Sequence, residues 1–254
     1  MISIEMLEKL GRQYQVGVFP NIVREYFQHI FLGELYRLPD AGKILFKGGT
    51  ALRIIYGSPR FSEDLDFSLI GVMRKETKLF IEGLFVNVLS EIERTGIKVE
   101  LGDKVGDTRG GYLGIATFRV PEYPPVSVEI NVSTRNEKRA VGEVDSIVND
   151  FVPAYTIIHL PQDELVNEKI FDALVKRKKP RDFYDLYFIM RKGMLSLDQK
   201  KRLAKIKDEV ILNAKSLNFR SELGAFLPAD QQGVIREFST MLERELNRQL
   251  ASTF

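Results

Sequence analysis

The chain has 254 residues, of which 44% are hydrophobic and 28% are charged, enough for a packed core in one domain or in two smaller ones. Its 37 Lys and Arg side chains nearly balance 35 Asp and Glu side chains, which excludes a histone-like basic protein and an acidic disordered chain. Because there is no cysteine and there are only two histidines, thiolate sites are excluded, and metal chemistry must rest on carboxylates, which suit hard ions such as magnesium.

The first part of the sequence mixes helical and strand periodicities. Apolar residues that recur every three or four positions predict helices over 2–10, 20–38, 50–57 and 74–95. Alternation of apolar and polar residues predicts strands over 64–70, 97–101, 112–120 and 126–132, with a GDTRGG turn after the second of them. We therefore expect a central mixed sheet with helices packed against it.

From about residue 160 the pattern is helical to the end. The predicted helices lie near 162–178, 181–192, 197–213 and 230–250. This change predicts an α+β fold with two packed lobes: residues 1–155 form a lobe with the sheet and the N-terminal helices, and residues 156–254 form a helical lobe. His29 and His159 are expected to be structural.

Positive charge is concentrated in one stretch, residues 176–207, where twelve Lys and Arg side chains face three acids. This stretch is interpreted either as a solvated helix face or as a surface for phosphates, triphosphate or RNA. No run of about 18 apolar residues occurs, and the start of the sequence is unlike a signal peptide. The expectation is a cytoplasmic protein that does not contact a membrane.

The pattern most informative about chemistry lies between residues 48 and 66. Gly48-Gly49-Thr50 opens a predicted helix, where glycine backbone and the helix dipole favour a phosphate. Asp64 and Asp66 follow two apart on an apolar strand, so their carboxylates project from one face. Two such acids repel each other unless a divalent ion lies between them. The motif predicts a phosphate cradle beside a magnesium site, as in phosphoryl or nucleotidyl transfer.

Three nearby side chains are candidates for the same site. Thr50 could cap the helix and donate to a phosphate, and Ser62 offers a further hydroxyl, although a plain turn serine is the alternative. A two-metal site needs a third acid, and Glu129 is the only acid in the apolar strand 126–132. The alternative is that Glu129 faces solvent on an edge strand.

The run KGGTALRIIYGSPRFSEDLDFSL resembles the signature of the DNA polymerase beta-like nucleotidyltransferases, in which a Gly-Gly or Gly-Ser pair is followed by Asp-x-Asp. Within them the chain resembles the AbiEii/AbiGii toxin family, the toxins of type IV toxin–antitoxin and abortive-infection systems. A second block similar to that family contains Asp163-Glu164-Leu165, Glu168-Lys169, Ala173-Leu174, Arg177 and Pro180-Arg181-Asp182-Phe183-Tyr184-Asp185-Leu186. The resemblance spans about residues 20–190.

The resemblance implies a polymerase beta-like catalytic lobe that uses an NTP and Mg²⁺ to transfer a nucleotide to an acceptor hydroxyl, with the 3′ end of a tRNA as the expected acceptor. It also implies a cognate antitoxin partner. The implied catalytic residues are Asp64, Asp66, Lys169 and Asp182. The implied metal ligands are Asp64 and Asp66, to which the strand pattern adds Glu129. The implied nucleotide-binding residues are Gly48, Gly49, Thr50, Ser62, Lys169, Arg181 and Asp185.

The second block can also be interpreted without the resemblance. Asp182 lies in the first turn of a helix, where a negative charge opposes the dipole, and Arg181 could pair with Asp182 or Asp185. Lys169 could be a surface lysine paired with Asp172. At the level of function, the alternatives are transfer to a small molecule or a protein hydroxyl, and a binding module that has lost catalysis.

Overall fold

The computed structural model of the chain describes residues 2–102, 106–108, 110–134 and 141–251. The chain divides into two compact units. The first unit runs to Gly57 and from Phe61 to Pro161, and the second contains Ser58–Arg60 and everything from Gln162 onward. The boundary expected after residue 155 falls inside a strand, and the units divide a little later.

A mixed sheet forms the first unit. Its strands in the described residues are β1 (Ile44–Lys47), β2 (Leu65–Leu69), β3 (Lys98–Leu101), β4 (Gly106–Thr108), β5 (Gly111–Arg119), β6 (Val126–Ser133), β7 (Glu143–Ile147) and β8 (Tyr155–His159). Their order is β3-β5-β6-β2-β1-β8-β7, with β4 paired to β5. β2 runs parallel to β6 and β1 runs parallel to β8, whereas the other pairs are antiparallel. This arrangement confirms the predicted mixed sheet.

Strand β6 shows why this sheet has one apolar face. Val126, Val128, Ile130 and Val132 are buried, and the residues between them are exposed or half-buried. Such alternation is the period-two signature of a strand with one face on the core. Helices α2 (Val23–Leu35) and α4 (Thr77–Arg94) supply much of that core. Phe27 of α2, for example, stacks on Phe118 of β5 with ring centroids 4.4 Å apart.

Two shorter α-helices also belong to the first unit, together with a π-helical segment (Val18–Ile22) and a 3-10 helix (Pro39–Lys43). Helix α1 (Ile4–Gln13) begins where Ser3 accepts a hydrogen bond from the amide of Met6, as an N-cap does. Helix α3 (Gly48–Ile54) follows β1 directly. It therefore carries the Gly-Gly pair at the exact end of a buried strand.

The second unit is helical, as predicted. A run from Gln162 to Arg177 consists of α5 (Gln162–Asn167), a π-helical segment (Glu168–Leu174) and α6 (Val175–Arg177). The further helices are α7 (Pro180–Arg191), α8 (Leu197–Lys215), α9 (Phe219–Leu223), α10 (Gln232–Arg236) and α11 (Phe238–Leu250). Ser196 and Gln199 form a capping box that fixes the start of α8. Among the described residues, no helix is long and apolar enough to cross a membrane.

Four strands were not predicted from the sequence. β1 and β8 are short apolar segments, and β7 is an edge strand whose residues are mostly exposed. In all three, the sequence shows neither the helical period of 3.6 residues nor the strand period of two clearly. The GDTRGG segment was expected to be a turn, but its first three residues form β4 against β5. Arg109 of that segment lies outside the described residues. One helix, α9, was also missed because it has only five residues.

Candidate active site

The turn from β1 into α3 explains the first glycine of the Gly-Gly pair. Gly48 has φ +86°, a conformation that L side chains rarely adopt. A Cβ on Gly48 would lie 2.1 Å from Oδ2 of Asp66 and 2.8 Å from its Cγ. Position 48 therefore requires glycine for two independent reasons, and the carboxylate of Asp66 packs directly against the first residue of α3.

Asp66 lies on β2 between two neighbouring strands. Its register partners are Lys47 of β1 and Asn131 of β6, and both Asp64 and Asp66 are half-buried. The alternation of β2 places Leu65 and Phe67 in the core, so the two acids share the opposite face. Lys47 supplies a positive charge at the cross-strand position beside Asp66. The sequence analysis did not select Lys47, although its place directly before the Gly-Gly pair could have indicated it.

Thr50 has a different place from the one expected. It is fully buried, and its hydroxyl donates a hydrogen bond to the backbone carbonyl of Asp64. It does not cap the helix, since the N-cap position is Lys47 and Thr50 lies one residue further in than Gly49. Thr50 thus fixes the residue before β2 to helix α3, a positioning role for one of the two acids.

Glu129 and Ser62 lie in the same unit. Glu129 is exposed on the face of β6 that also carries Asn131, and its Oε1 accepts a hydrogen bond of 3.1 Å from the Asn131 amide. Within the described residues, no group of three or more acidic, His or Cys side chains could hold a metal ion. The use of Glu129 as a third ligand therefore stays a prediction. The carbonyl of Ser62 accepts a hydrogen bond from the Gln28 side chain.

The end of α3 is anchored by a buried ion pair. Arg53 donates hydrogen bonds of 3.0–3.2 Å to Glu25 of α2, and both side chains are less than one tenth exposed. The guanidinium carbon of Arg53 also lies 3.8 Å above the ring of Phe61. Phe61 is itself buried and belongs to the core. Burial raises the pKa of the Glu25 carboxyl despite the opposing effect of Arg53.

His29 is buried beside this ion pair. Its Nδ1 lies 2.8 Å from the hydroxyl of Tyr155. Burial and, secondarily, the charge of Arg53 lower the pKa of His29 to about 3. His159 is also buried, and its ring nitrogens lie 2.9 and 3.0 Å from the Leu160 carbonyl and the Asp145 carboxylate. Both histidines thus have local partners inside the fold.

In the second unit, Asp185 is the centre of a buried charge cluster. Arg60 donates hydrogen bonds of 2.8–3.1 Å to its carboxylate, and Nζ of Lys169 donates another of 2.8 Å. Burial raises the pKa of the Asp185 carboxyl, but the charges of Arg60 and Lys169 outweigh this effect and the pKa is lowered. Lys169 is only 11% exposed, and Asp172 pairs instead with Lys176. The interpretation of Lys169 as a surface lysine paired with Asp172 is wrong.

Asp182 and Arg181 have separate partners. The carboxylate of Asp182 accepts a hydrogen bond from the backbone amide of Lys179, and this bond caps the start of α7. The same carboxylate accepts a second hydrogen bond from the Arg177 side chain. Arg181 pairs with Glu222 at 3.4 Å rather than with either aspartate, so that expected pairing is wrong. Asp182 therefore has a structural role, the capping of α7, as its place in the first turn of that helix predicted.

The basic stretch is less positive than its sequence suggests. Acids on either side of it or elsewhere in the second unit pair with several of its side chains, such as Asp172 with Lys176 and Glu209 with Lys178. Among the described residues, the stretch retains lysines without an acidic partner at positions 179, 192, 200, 201, 205 and 207. The positive surface is thus concentrated on α8 and the ends of α7.

The mixed sheet, the glycine turn and the two acids, Asp64 just before β2 and Asp66 on it, are the features of a nucleotidyltransferase fold. The chain belongs to the AbiEii family, since the family model described as nucleotidyl transferase AbiEii toxin of type IV toxin–antitoxin systems matches residues 30–249. This confirms the resemblance and makes the chain a nucleotidyltransferase of a toxin family.

Two solved structures with a similar fold come from Helicobacter pylori. One is provisionally described as a nucleotidyltransferase; it is 21% identical, with a TM-score of 0.65, and the match covers 92% of this chain and 96% of that one. The other is the JHP933 protein, also 21% identical, with a TM-score of 0.67 and 94% of each chain covered. At this identity the likeness concerns the fold alone. Among curated proteins, none matches the chain.

Proposed function

We propose that the chain transfers a nucleotide from an NTP to an acceptor hydroxyl, with Mg²⁺ as the cofactor and the 3′ end of a tRNA as the acceptor. The observation that carries this proposal is the packing of the Asp66 carboxylate against Gly48. It sets an acid of the Asp-x-Asp pair directly beside the backbone of the Gly-Gly turn. A divalent ion and a triphosphate could therefore be held side by side.

The donor set fits magnesium. Mg²⁺ is usually bound in proteins by one or two carboxylates together with substrate phosphates and water, rather than by a complete cage of side chains. Asp64 and Asp66 supply two carboxylates, and we propose Glu129 as a further ligand. When bound, the metal would lower the pKa of the acceptor hydroxyl and neutralise the leaving pyrophosphate.

The chain's own residues would hold the reactants in line. The acceptor oxygen forms a bond to the α-phosphorus of the NTP, the bond from that phosphorus to the β-phosphate oxygen breaks, and the hydroxyl proton is lost to solvent. Gly48 and Gly49 would admit the phosphates, and Thr50 would fix Asp64 through its hydrogen bond. Contact of Lys169 with the triphosphate, and roles for Ser62, Arg181, Asp182 and Asp185 at the nucleotide, stay predictions from the family resemblance.

The acceptor and the partner are the finer parts of the proposal. The lysines of α8 that lack an acidic partner among the described residues support a phosphate backbone as ligand, because such charges bind nucleic acid without competition from internal ion pairs. Membership in a type IV toxin–antitoxin family supports a cognate antitoxin as partner. A transferase that uses NTP and tRNA would act in the cytoplasm.

The test is transfer of label from each NTP to total RNA, with protein and small-molecule acceptors in parallel. The wild type is compared with Asp66→Asn and with Asp172→Asn, a control acid that is exposed and lies in the second unit. Label in tRNA that disappears only in Asp66→Asn supports the proposal. Label confined to protein or to a small molecule would reject tRNA as the acceptor, and equal transfer by Asp66→Asn would reject the proposed centre.

The lysine surface is tested by salt dependence. A variant with Gln at Lys179, Lys200, Lys201 and Lys205 should raise the KM for RNA and reduce the log–log salt slope by about 0.7 per lost phosphate contact, while the KM for NTP stays unchanged. Gln at Lys176 and Lys178, which are already paired with acids, provides the control. An unchanged RNA KM in the quadruple variant would leave the stretch as a solvated face.

A further inference from the structure

The second unit contains a cavity of about 740 Å³ formed by residues of α9, α10, α11 and the loop before α9. Ligand pockets in proteins usually measure about 300–1,000 Å³, so the volume suits a small organic group. None of the residues of the two sequence motifs lines it. It also lies outside the basic stretch, and no role has so far been assigned to this part of the chain.

The walls of the cavity are fixed by internal hydrogen bonds. Oδ1 of Asn218 accepts from the backbone amides of Arg220 and Ser221, which holds the start of α9. The side-chain amide of Gln232 donates to the carbonyls of Gly224 and Leu227, at 3.0 and 2.7 Å, and so ties α10 to the preceding loop. These bonds fix the backbone on two sides of the cavity, so binding would have little of it to order.

The charged residues that line the cavity are Arg220 and Arg236; no described acid lines it. Both arginine side chains are exposed, and neither has an acidic partner among the described residues. Nearby cations differ in this respect, since Arg181 pairs with Glu222 and Lys215 pairs with Glu243. Two unpaired guanidinium groups at one cavity favour an anion, and the planar donor fork of arginine matches phosphate oxygens.

The remaining lining is mixed, since Asn218, Gln232 and Ser239 add polar side chains to apolar ones. Phe219 and Phe238 are buried with ring centroids 4.5 Å apart, and Ile235 lies beside them in the wall. The cavity thus combines an anion-binding rim with amide and hydroxyl groups in its wall. A nucleotide has matching parts, a phosphate and a base whose edges form hydrogen bonds.

We propose that this cavity binds one nucleotide of the acceptor RNA, with its phosphate on Arg220 and Arg236 and its base inside the cavity. The inference rests on the proposed function in taking RNA as the acceptor, but it concerns binding and not transfer. It assigns the C-terminal helices a role in holding RNA that is separate from the lysines of α8. A free nucleoside monophosphate offers the same chemistry and is the second possible source of the ligand.

Binding is measured with a short single-stranded RNA and with AMP, on full-length protein carrying Asp66→Asn so that no transfer occurs. One variant replaces Arg220 and Arg236 by Gln. A second, Gly233→Trp, fills the cavity without changing charge, since a Cβ at Gly233 meets no atom within 4 Å. The control is Arg244→Gln, an exposed arginine of α11 that does not line the cavity and has no acidic partner among the described residues.

The double arginine variant should weaken RNA binding at least about tenfold, the scale of losing hydrogen bonds to a charged group. Gly233→Trp should also weaken it, and Arg244→Gln should not. RNA binding that is unchanged in both cavity variants would overturn the inference, as would an equal loss in the control, or binding of AMP without binding of RNA. Loss of binding in the cavity variants would stand even if the wild type transferred no nucleotide, so the two proposals fail separately.

Discussion

Replacing Gly48 with alanine tests one contact of the candidate active site, the packing of the Asp66 carboxylate against the glycine turn. At φ +86° an L side chain costs about 1–2 kcal/mol of folding free energy. In addition, the new Cβ would overlap the carboxylate of Asp66 at 2.1 Å, so Asp66 has to move by about 1 Å to reach an ordinary contact, and a displacement of that size can cost about 100-fold in rate.

Gly71→Ala is the matched control. Gly71 also has a positive φ, +66°, but a Cβ there meets no atom within 4 Å. Both variants should therefore lose about 1–2 kcal/mol in urea unfolding from backbone strain. Only Gly48→Ala should lose nucleotide transfer, by about 100-fold or more, relative to Gly71→Ala. If Gly48→Ala transferred as well as the control, the close packing of Asp66 on the turn would have no catalytic importance.

Three further variants test the buried contacts. Thr50→Val removes the hydroxyl that donates to the Asp64 carbonyl and should cost about 1–3 kcal/mol in urea unfolding, whereas Thr50→Ser should retain most of the stability. Asp185→Asn leaves two buried cations without a counter-charge and should cost about 3–5 kcal/mol, against at most about 1 kcal/mol for the exposed Asp172→Asn; similar losses would refute the cluster. The folded-state pKa of His29 is about 3, so between pH 6.5 and pH 3 the unfolded chain binds a proton that the folded chain does not, and the free energy of unfolding decreases as the pH is lowered. At pH 5 this effect of His29 amounts to about 2 kcal/mol. Urea unfolding at pH 7 and pH 5 should show that His29→Gln lacks this part of the decrease.

The parts of the fold that local sequence determines were predicted well. The apolar stripe of α2 and the alternation of β6 depend on neighbouring residues, and the structure has a helix and a strand there. β8 was missed because pairing with a distant part of the chain decides it: it lies parallel to β1, more than a hundred residues earlier in sequence.

The same distinction applies to the candidate site. Gly48 and Asp66 could be predicted from the sequence because their residue types and their spacing indicate the chemistry of the site. The partnership of Arg60 with Asp185 joins residues 125 positions apart, and no local pattern indicates it. Lys169 was given the wrong alternative partner because its segment is π-helical, so that neighbours at i+3 no longer face each other as in an α-helix.

The position of the transferred phosphorus tests the central claim, nucleotidyl transfer, most directly. RNA is incubated with the enzyme and with NTP labelled either at the α-phosphate or at the γ-phosphate. The account predicts that α-label becomes attached to RNA, that γ-label is recovered as pyrophosphate, and that Asp66→Asn abolishes both. Attachment of γ-label to the acceptor would mean phosphoryl rather than nucleotidyl transfer and would contradict the account, as would release of pyrophosphate that continues unchanged in Asp66→Asn.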